Sequence, residues 1–175
     1  MRERNGNLIK LAKEGFFDVI THGCNCFCTM GSGIAVPMKY NFACDLFPME
    51  DSEYKGDINK LGTIDYEIQN IIVKKEINLG TGKVLAADFG GKDLVVINSY
   101  TQYHYGKNHK DGVEKPVDYD AITMCMRKIN HLFKGKTIGL PKIGAGLAGG
   151  DWYKIKNIIK TELNAMDVWI VHYNE

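Results

Sequence analysis

Two glycine-bearing stretches hold the residues best suited to chemistry. One is Leu140–Pro–Lys–Ile–Gly–Ala–Gly–Leu–Ala–Gly–Gly–Asp–Trp152, in which Gly144, Gly146 and Gly149 make a GxGxxG. Glycines let the backbone approach an anion, and N–H groups ahead of a helix aim their positive ends at it, so the pattern suits a diphosphate. The other is His22–Gly–Cys–Asn–Cys–Phe–Cys–Thr–Met–Gly–Ser–Gly–Ile–Ala35. Here His22 offers an acid or base, Asn25 can donate to and accept from a ribose hydroxyl, and Gly31 and Gly33 add backbone donors. Two such loops at two strand ends would clamp one diphosphate from both sides. His22, Cys24, Cys26 and Cys28 also read as H-x-C-x-C-x-C, which on a strand would share one face. Structural zinc sites more often use CxxC knuckles, and the chain has none, so packed thiols and no metal are expected. Asp151, ahead of a helix, suits N-capping at least as well as catalysis. Tyr173 either covers the core or stacks on a base.

The elements that must position these residues follow from periodicity. Phe17–Cys24 is a short apolar run, as a buried strand would be, and Gly33–Tyr40 suits a helix with Pro37 in its first turn. Leu61–Ile68 alternates like a strand. Lys83–Phe89 and Asp93–Tyr100 flank Gly90–Gly91, which predicts a hairpin there. Gly106–Pro116 is polar and predicts a surface loop. Ile122, Met126, Ile129 and Phe133 recur at helical spacing, as do Ile155, Ile158, Ile159 and Leu163. Lys136–Pro141 and Asp167–Tyr173 read as strands. Alternating strands and helices predict an α/β domain, a sheet between helix layers, in one unit spanning 1–175.

A Rossmann assignment of the GxGxxG does not fit its position. That fingerprint belongs to the first βα turn, with an acidic residue about 20 positions on and further βα units to follow. Here one helix and one strand remain, and Asp167 precedes that strand.

Composition narrows the ligand class. The 175 residues are 45% hydrophobic, which excludes a disordered linker. With 22 Lys and Arg against 21 Asp and Glu, the net charge is +1. Duplex nucleic-acid binders normally carry a basic face, so a small anionic ligand held by a few placed donors is expected instead of a polymer. No apolar run reaches the length of a membrane span. Five cysteines without an export signal read as reduced thiols of the cytoplasm.

Together the two loops resemble those of the macrodomain family of ADP-ribose-binding proteins. The branch most similar holds the small ADP-ribose 1''-phosphate phosphatases and the terminal ADP-ribose protein glycohydrolases. The matching pieces are Asn5–Gly–Asn–Leu8, His22–Gly–Cys–Asn–Cys26 with Gly31–Ser–Gly–Ile–Ala35, and Pro141–Lys–Ile–Gly–Ala–Gly–Leu147 with Trp152. Gln69–Lys83 matches nothing and reads as an insertion. The resemblance implies a three-layer α/β/α fold around a mixed sheet of about six strands.

It also implies Asn7 and Leu8 at adenine, Asn25 at the distal ribose, and Gly33, Ile34, Gly144, Ala145, Gly146 and Leu147 at the phosphates, with Gly31, Ala35 and Ile143 also among the ligand-binding residues. Tyr173 would stack near adenine. Asn7 stands where the family usually has Asp, which removes a carboxylate acceptor for the adenine amino group. Ala148 stands where the glycohydrolases have Asp, which weakens that activity. The implied function is hydrolysis of the 1''-phosphate of ADP-ribose 1''-phosphate, with His22 activating water or taking the phosphoryl group and Asp151 orienting it. The alternatives are a binding module without turnover and an ADP-ribosyl hydrolase acting on modified macromolecules. No cofactor, nucleic acid or membrane is implied, and a monomer is expected in the cytoplasm, that of the host if a phage encodes it.

Overall fold

The computed structural model describes residues 1–47, 55–78, 80, 84–105 and 115–173, with the backbone alone for 75–78 and 84–87. Among these, six strands form one mixed sheet: β1 (Arg2–Asn5), β2 (Val19–Asn25), β3 (Ile64–Asn78), β4 (Val84–Gln102), β5 (Thr137–Leu140) and β6 (Asp167–His172). Their order is β1-β6-β5-β2-β4-β3. Each neighbouring pair is parallel except β3 with β4. Four helices, α1 (Leu8–Lys13), α2 (Ala35–Phe42), α3 (Tyr119–Leu132) and α4 (Trp152–Glu162), cover the two faces.

The period of two in the strands divides the core. Ile20, Cys24, Leu94, Val96 and Tyr100 face Leu8, Leu11, Met38 and Phe42 of α1 and α2. Val19, Ile97, Ile138, Leu140 and Ile170 face Ile122, Met126, Ile129, Ile155 and Ile159 of α3 and α4. Successive side chains of β2 therefore enter opposite layers. That alternation decides the fate of His22.

The hairpin expected at Gly90–Gly91 is not there. β4 runs through both glycines, and the chain reverses between Asn78 and Val84. Pairing passes from Ile72 with Gly91 to Lys74 with Asp88, so two residues of β4 oppose one of β3. Gly90, at φ 90°, takes the bulged position. Glycine marks a bulge as readily as a turn, and the sequence pattern does not separate them. Gln69–Asn78 is thus the continuation of β3, paired with β4 as far as Val84. β1 and α1 carry no periodic signal: one is four polar residues at the sheet edge, the other six residues long. Most of the polar stretch Gly106–Pro116 lies outside the described residues. No helix among the described residues is long and apolar enough to cross a membrane.

Candidate ligand-binding site

In an open α/β sheet the carboxyl ends of parallel strands leave a crevice, and here β2, β4, β5 and β6 end on one edge. The loop after β2 and the loop after β5 face each other across it. A cavity of about 250 Å³ lies on one side, lined by Asn25, Thr29, Ser32, Gln102, Tyr105 and Ile143 among others. A second, of about 860 Å³, lies on the other, lined by Asn7, Ile9, Pro37, Val171, His172 and Tyr173. Gly33, Ile34, Pro141, Lys142 and Gly146 line both. The two cavities are halves of one cleft, with the paired loops at its waist.

The waist is electropositive without bulk charge. Asn7, Asp118 and Asp151 cap α1, α3 and α4 with side-chain oxygens, but α2 has Ile34 at its N-cap position and no side-chain cap. Its first-turn N–H groups keep their positive ends toward the cleft. Opposite them, the loop after β5 is held by Gly149 N donating to Gly146 O at 3.0 Å and Gly150 N to Gly144 O at 2.9 Å. The amides of Gly144 and Gly146 donate to no group among the described residues. Lys142 supplies one cation on the same strip, its Nζ 5.9 Å from the Trp152 ring centroid.

The glycines of this loop do different work. Gly144 sits at φ 71°, and a Cβ there would press on Ile122 and Val117 at 3.1 Å. Gly150 lies so close to Gly144 O that a Cβ would be 2.6 Å from it. Both are demanded by packing. Gly146 has open space around it, and it borders both cavities. At the end of β2, Gly23 meets Thr101 and Ile143 in the same way: a Cβ would lie 2.8 Å from Thr101 Oγ1.

No protein-family model matches the chain. It is 30% identical over 172 residues to an uncharacterized 17.5 kDa protein of the tk-vs intergenic region of Enterobacteria phage T4, covering 96% of this chain and 93% of that one. Among solved structures, the macrodomain of Thermus aquaticus DarG superposes with a TM-score of 0.60 at 20% identity, over 99% of this chain and 97% of that one. The chain belongs to the family of the phage protein, and its fold is the macrodomain fold. Thermosipho africanus DarTG in complex with ADP-ribose gives a TM-score of 0.62 at 19% identity, over 99% of this chain and 41% of that one.

The macrodomain cleft gathers most of the residues expected there. Asn25, Gly33, Ile34, Ala35, Ile143, Gly144, Gly146 and Leu147 border the smaller cavity, and Asn7, Ala145 and Tyr173 the larger. Leu8 does not: it is 3% exposed and packs in the α1 layer of the core. Gly31 borders neither cavity. Asn25 spends most of its amide on its own loop, with Oδ1 accepting from Phe27 N and Thr29 N at 3.1 Å and Nδ2 donating to Thr29 O at 3.0 Å. One N–H of that amide is left for a ligand.

His22 is not in the cleft. It follows Ile20 into the α1–α2 layer, is fully buried and lines neither cavity. Asn98 Nδ2 donates to Cys44 O at 2.7 Å, so Asn98 Oδ1 must be the acceptor of the 2.9 Å bond from His22 Nε2–H. The Cys24 and Cys44 sulfurs lie 3.6 Å from the same ring nitrogen. Burial pushes the His22 pKa down to about 4, so the ring is neutral near pH 7. It reaches no substrate as acid, base or nucleophile. The H-x-C-x-C-x-C run leaves the strand at Asn25, yet Cys24, Cys26 and Cys28 all pack in the α1–α2 layer of the core, as packed thiols.

Asp151 also stands outside. Its Oδ1 accepts from Tyr153 N at 2.8 Å and Lys154 N at 3.4 Å, the work of an N-cap. Because it caps α4, the helix N-terminus open to the cleft among the described residues is that of α2. Lys142, Gln102 and Tyr105 are lining residues that motif reading passed over. Lys142 had a signal, a cation two residues beyond the strand end within the glycine loop. Gln102 and Tyr105 had none, because they arrive from the far end of β4 by sheet pairing.

Proposed function

We propose that this macrodomain binds ADP-ribose lengthwise in the cleft. The diphosphate lies at the waist between α2 and the Gly144–Gly146 loop, the nucleoside in the larger cavity beside Tyr173, and the distal ribose in the smaller one beside Asn25. The observation that carries the reading is the pairing of an uncapped helix N-terminus with an opposed strip of undonated glycine amides. Such a strip neutralises two phosphate charges without a basic surface, in keeping with a net charge of +1. ADP-ribose in the similarly folded DarTG structure supports the choice of ligand.

Calorimetric titration with ADP-ribose tests it. Saturable one-to-one binding is expected for the wild type, and none for Gly146→Glu, which puts a carboxylate into open space at the waist without disturbing the loop. Failure of the wild type to bind, or undiminished binding by Gly146→Glu, overturns the proposal.

Release of phosphate from ADP-ribose 1''-phosphate is the second reading, and Lys142 favours it. A phosphate on the distal ribose would occupy the smaller cavity, where the Lys142 cation can offset charge gathering on its oxygens. Water would attack phosphorus and give up a proton to solvent, the bond from phosphorus to the ribose oxygen would break, and that oxygen would take a proton from solvent. His22 has no part in this step. Phosphate release by the wild type and its loss in Lys142→Ala are expected; no release by the wild type leaves binding as the whole function.

A further inference from the structure

The larger cavity is bordered chiefly by apolar and aromatic groups, with three polar side chains besides Lys142 at the waist: Asn7, His172 and, through its phenol hydroxyl, Tyr173. His172 has its Nε2 bonded to Glu3 Oε2 at 2.8 Å. Asn7 is half committed. Its Oδ1 accepts from the backbone N–H groups of Ile9 and Lys10, each at 3.0 Å, and so caps α1. Both partners are donors, so the amide cannot be turned over without setting its NH₂ against two N–H groups. Nδ2, with two N–H bonds, is the polar atom that remains, and it donates to no group among the described residues. Toward a base, Asn7 therefore presents donors only.

This reverses the preference that the residue type alone suggests. An amide oxygen could accept from an exocyclic amino group, but here that oxygen is occupied. A 6-amino purine carries a donor at position 6, whereas a 6-oxo purine carries an acceptor there. We infer that Asn7 tunes the nucleoside cavity toward a 6-oxo purine, so that the ligand class includes inosine- or guanosine-type diphosphoribose, bound at least as tightly as ADP-ribose. The inference rests on the nucleoside occupying the larger cavity, as proposed above. An aspartate at position 7 would cap α1 with one oxygen and offer the other as an acceptor, restoring selection for the amino group.

Calorimetry with ADP-ribose and with its hypoxanthine counterpart, inosine diphosphoribose, provides the test. The wild type should bind the inosine ligand at least as tightly. Asn7→Asp, which keeps the cap and hence α1, should move the ratio of the two dissociation constants about tenfold toward ADP-ribose, the scale of one hydrogen bond gained against one donor opposed. Asn7→Ser, which also caps but presents no amide, should bring the ratio close to one. A wild-type preference for ADP-ribose, or a ratio that Asn7→Asp leaves within twofold, overturns the inference. If the folded wild type binds neither nucleotide, the ADP-ribose reading itself fails and this inference falls with it.

Discussion

His22 is a titratable side chain held for its shape and one hydrogen bond. Its ring fills the α1–α2 layer between Cys24, Cys44 and Asn98 and stays neutral because burial penalises the imidazolium. In the unfolded chain the same ring takes a proton below about pH 6.5, while in the folded protein it resists until about 4. Its contribution to stability is therefore full above pH 6.5 and lost as pH falls toward 4, by up to about 3 kcal/mol. Urea unfolding at pH 7 and at pH 4.5 should show this loss in the wild type and a markedly smaller one in His22→Ala. At pH 7 that variant should be less stable by about 2–4 kcal/mol, from the cavity and the orphaned Asn98 oxygen. Where it remains folded, its affinity for ADP-ribose should stay within about threefold of wild type. A large loss of affinity with intact stability would return His22 to the cleft.

At the scale of elements, capping sorts the helices by task. α1, α3 and α4 spend an Asn or Asp on their first turns, and α2 does not. Asp151→Ala should lower stability by about 1 kcal/mol in urea unfolding and leave ADP-ribose affinity unchanged in calorimetry. A drop in affinity would contradict the assignment of Asp151 to capping. The elements legible in the sequence were those with strong internal period. α3 and α4 each bury a stripe at spacings of three and four, and β5 and β6 carry the short apolar runs Ile138–Leu140 and Val168–Val171. β1 and α1 were not legible, because a polar edge strand and a six-residue helix exist only through what they dock on: β1 through its parallel ladder with β6, α1 through Leu8, Leu11 and Ala12 in the core. The Gly90 bulge escaped notice for a related reason, since its cause is the register between two strands.

For the whole molecule, the cleft joins parts 165 residues apart in the chain, from Asn7 to His172. A ligand that bridges them should stabilise the fold as a unit. ADP-ribose at a hundred times its dissociation constant should add about 2.7 kcal/mol and raise the melting temperature by about 5–10 °C, with no rise for Gly146→Glu. Absence of a shift in the wild type would contradict ligand binding across the cleft. The sequence by itself determined the α/β class, the two glycine loops and their places after β2 and β5, because periodicity and backbone freedom are local properties. Only the tertiary structure decided which side chains line the cleft. His22 left the cleft by the alternation of β2, Leu8 was claimed by the core, Asp151 by its helix, and the Asn7 oxygen by α1. Lys142, Gln102 and Tyr105 entered because sheet order brought the ends of β5 and β4 to the same edge. Residue type sets what a group can donate or accept; which atoms remain free to do so is settled by the neighbours that folding supplies.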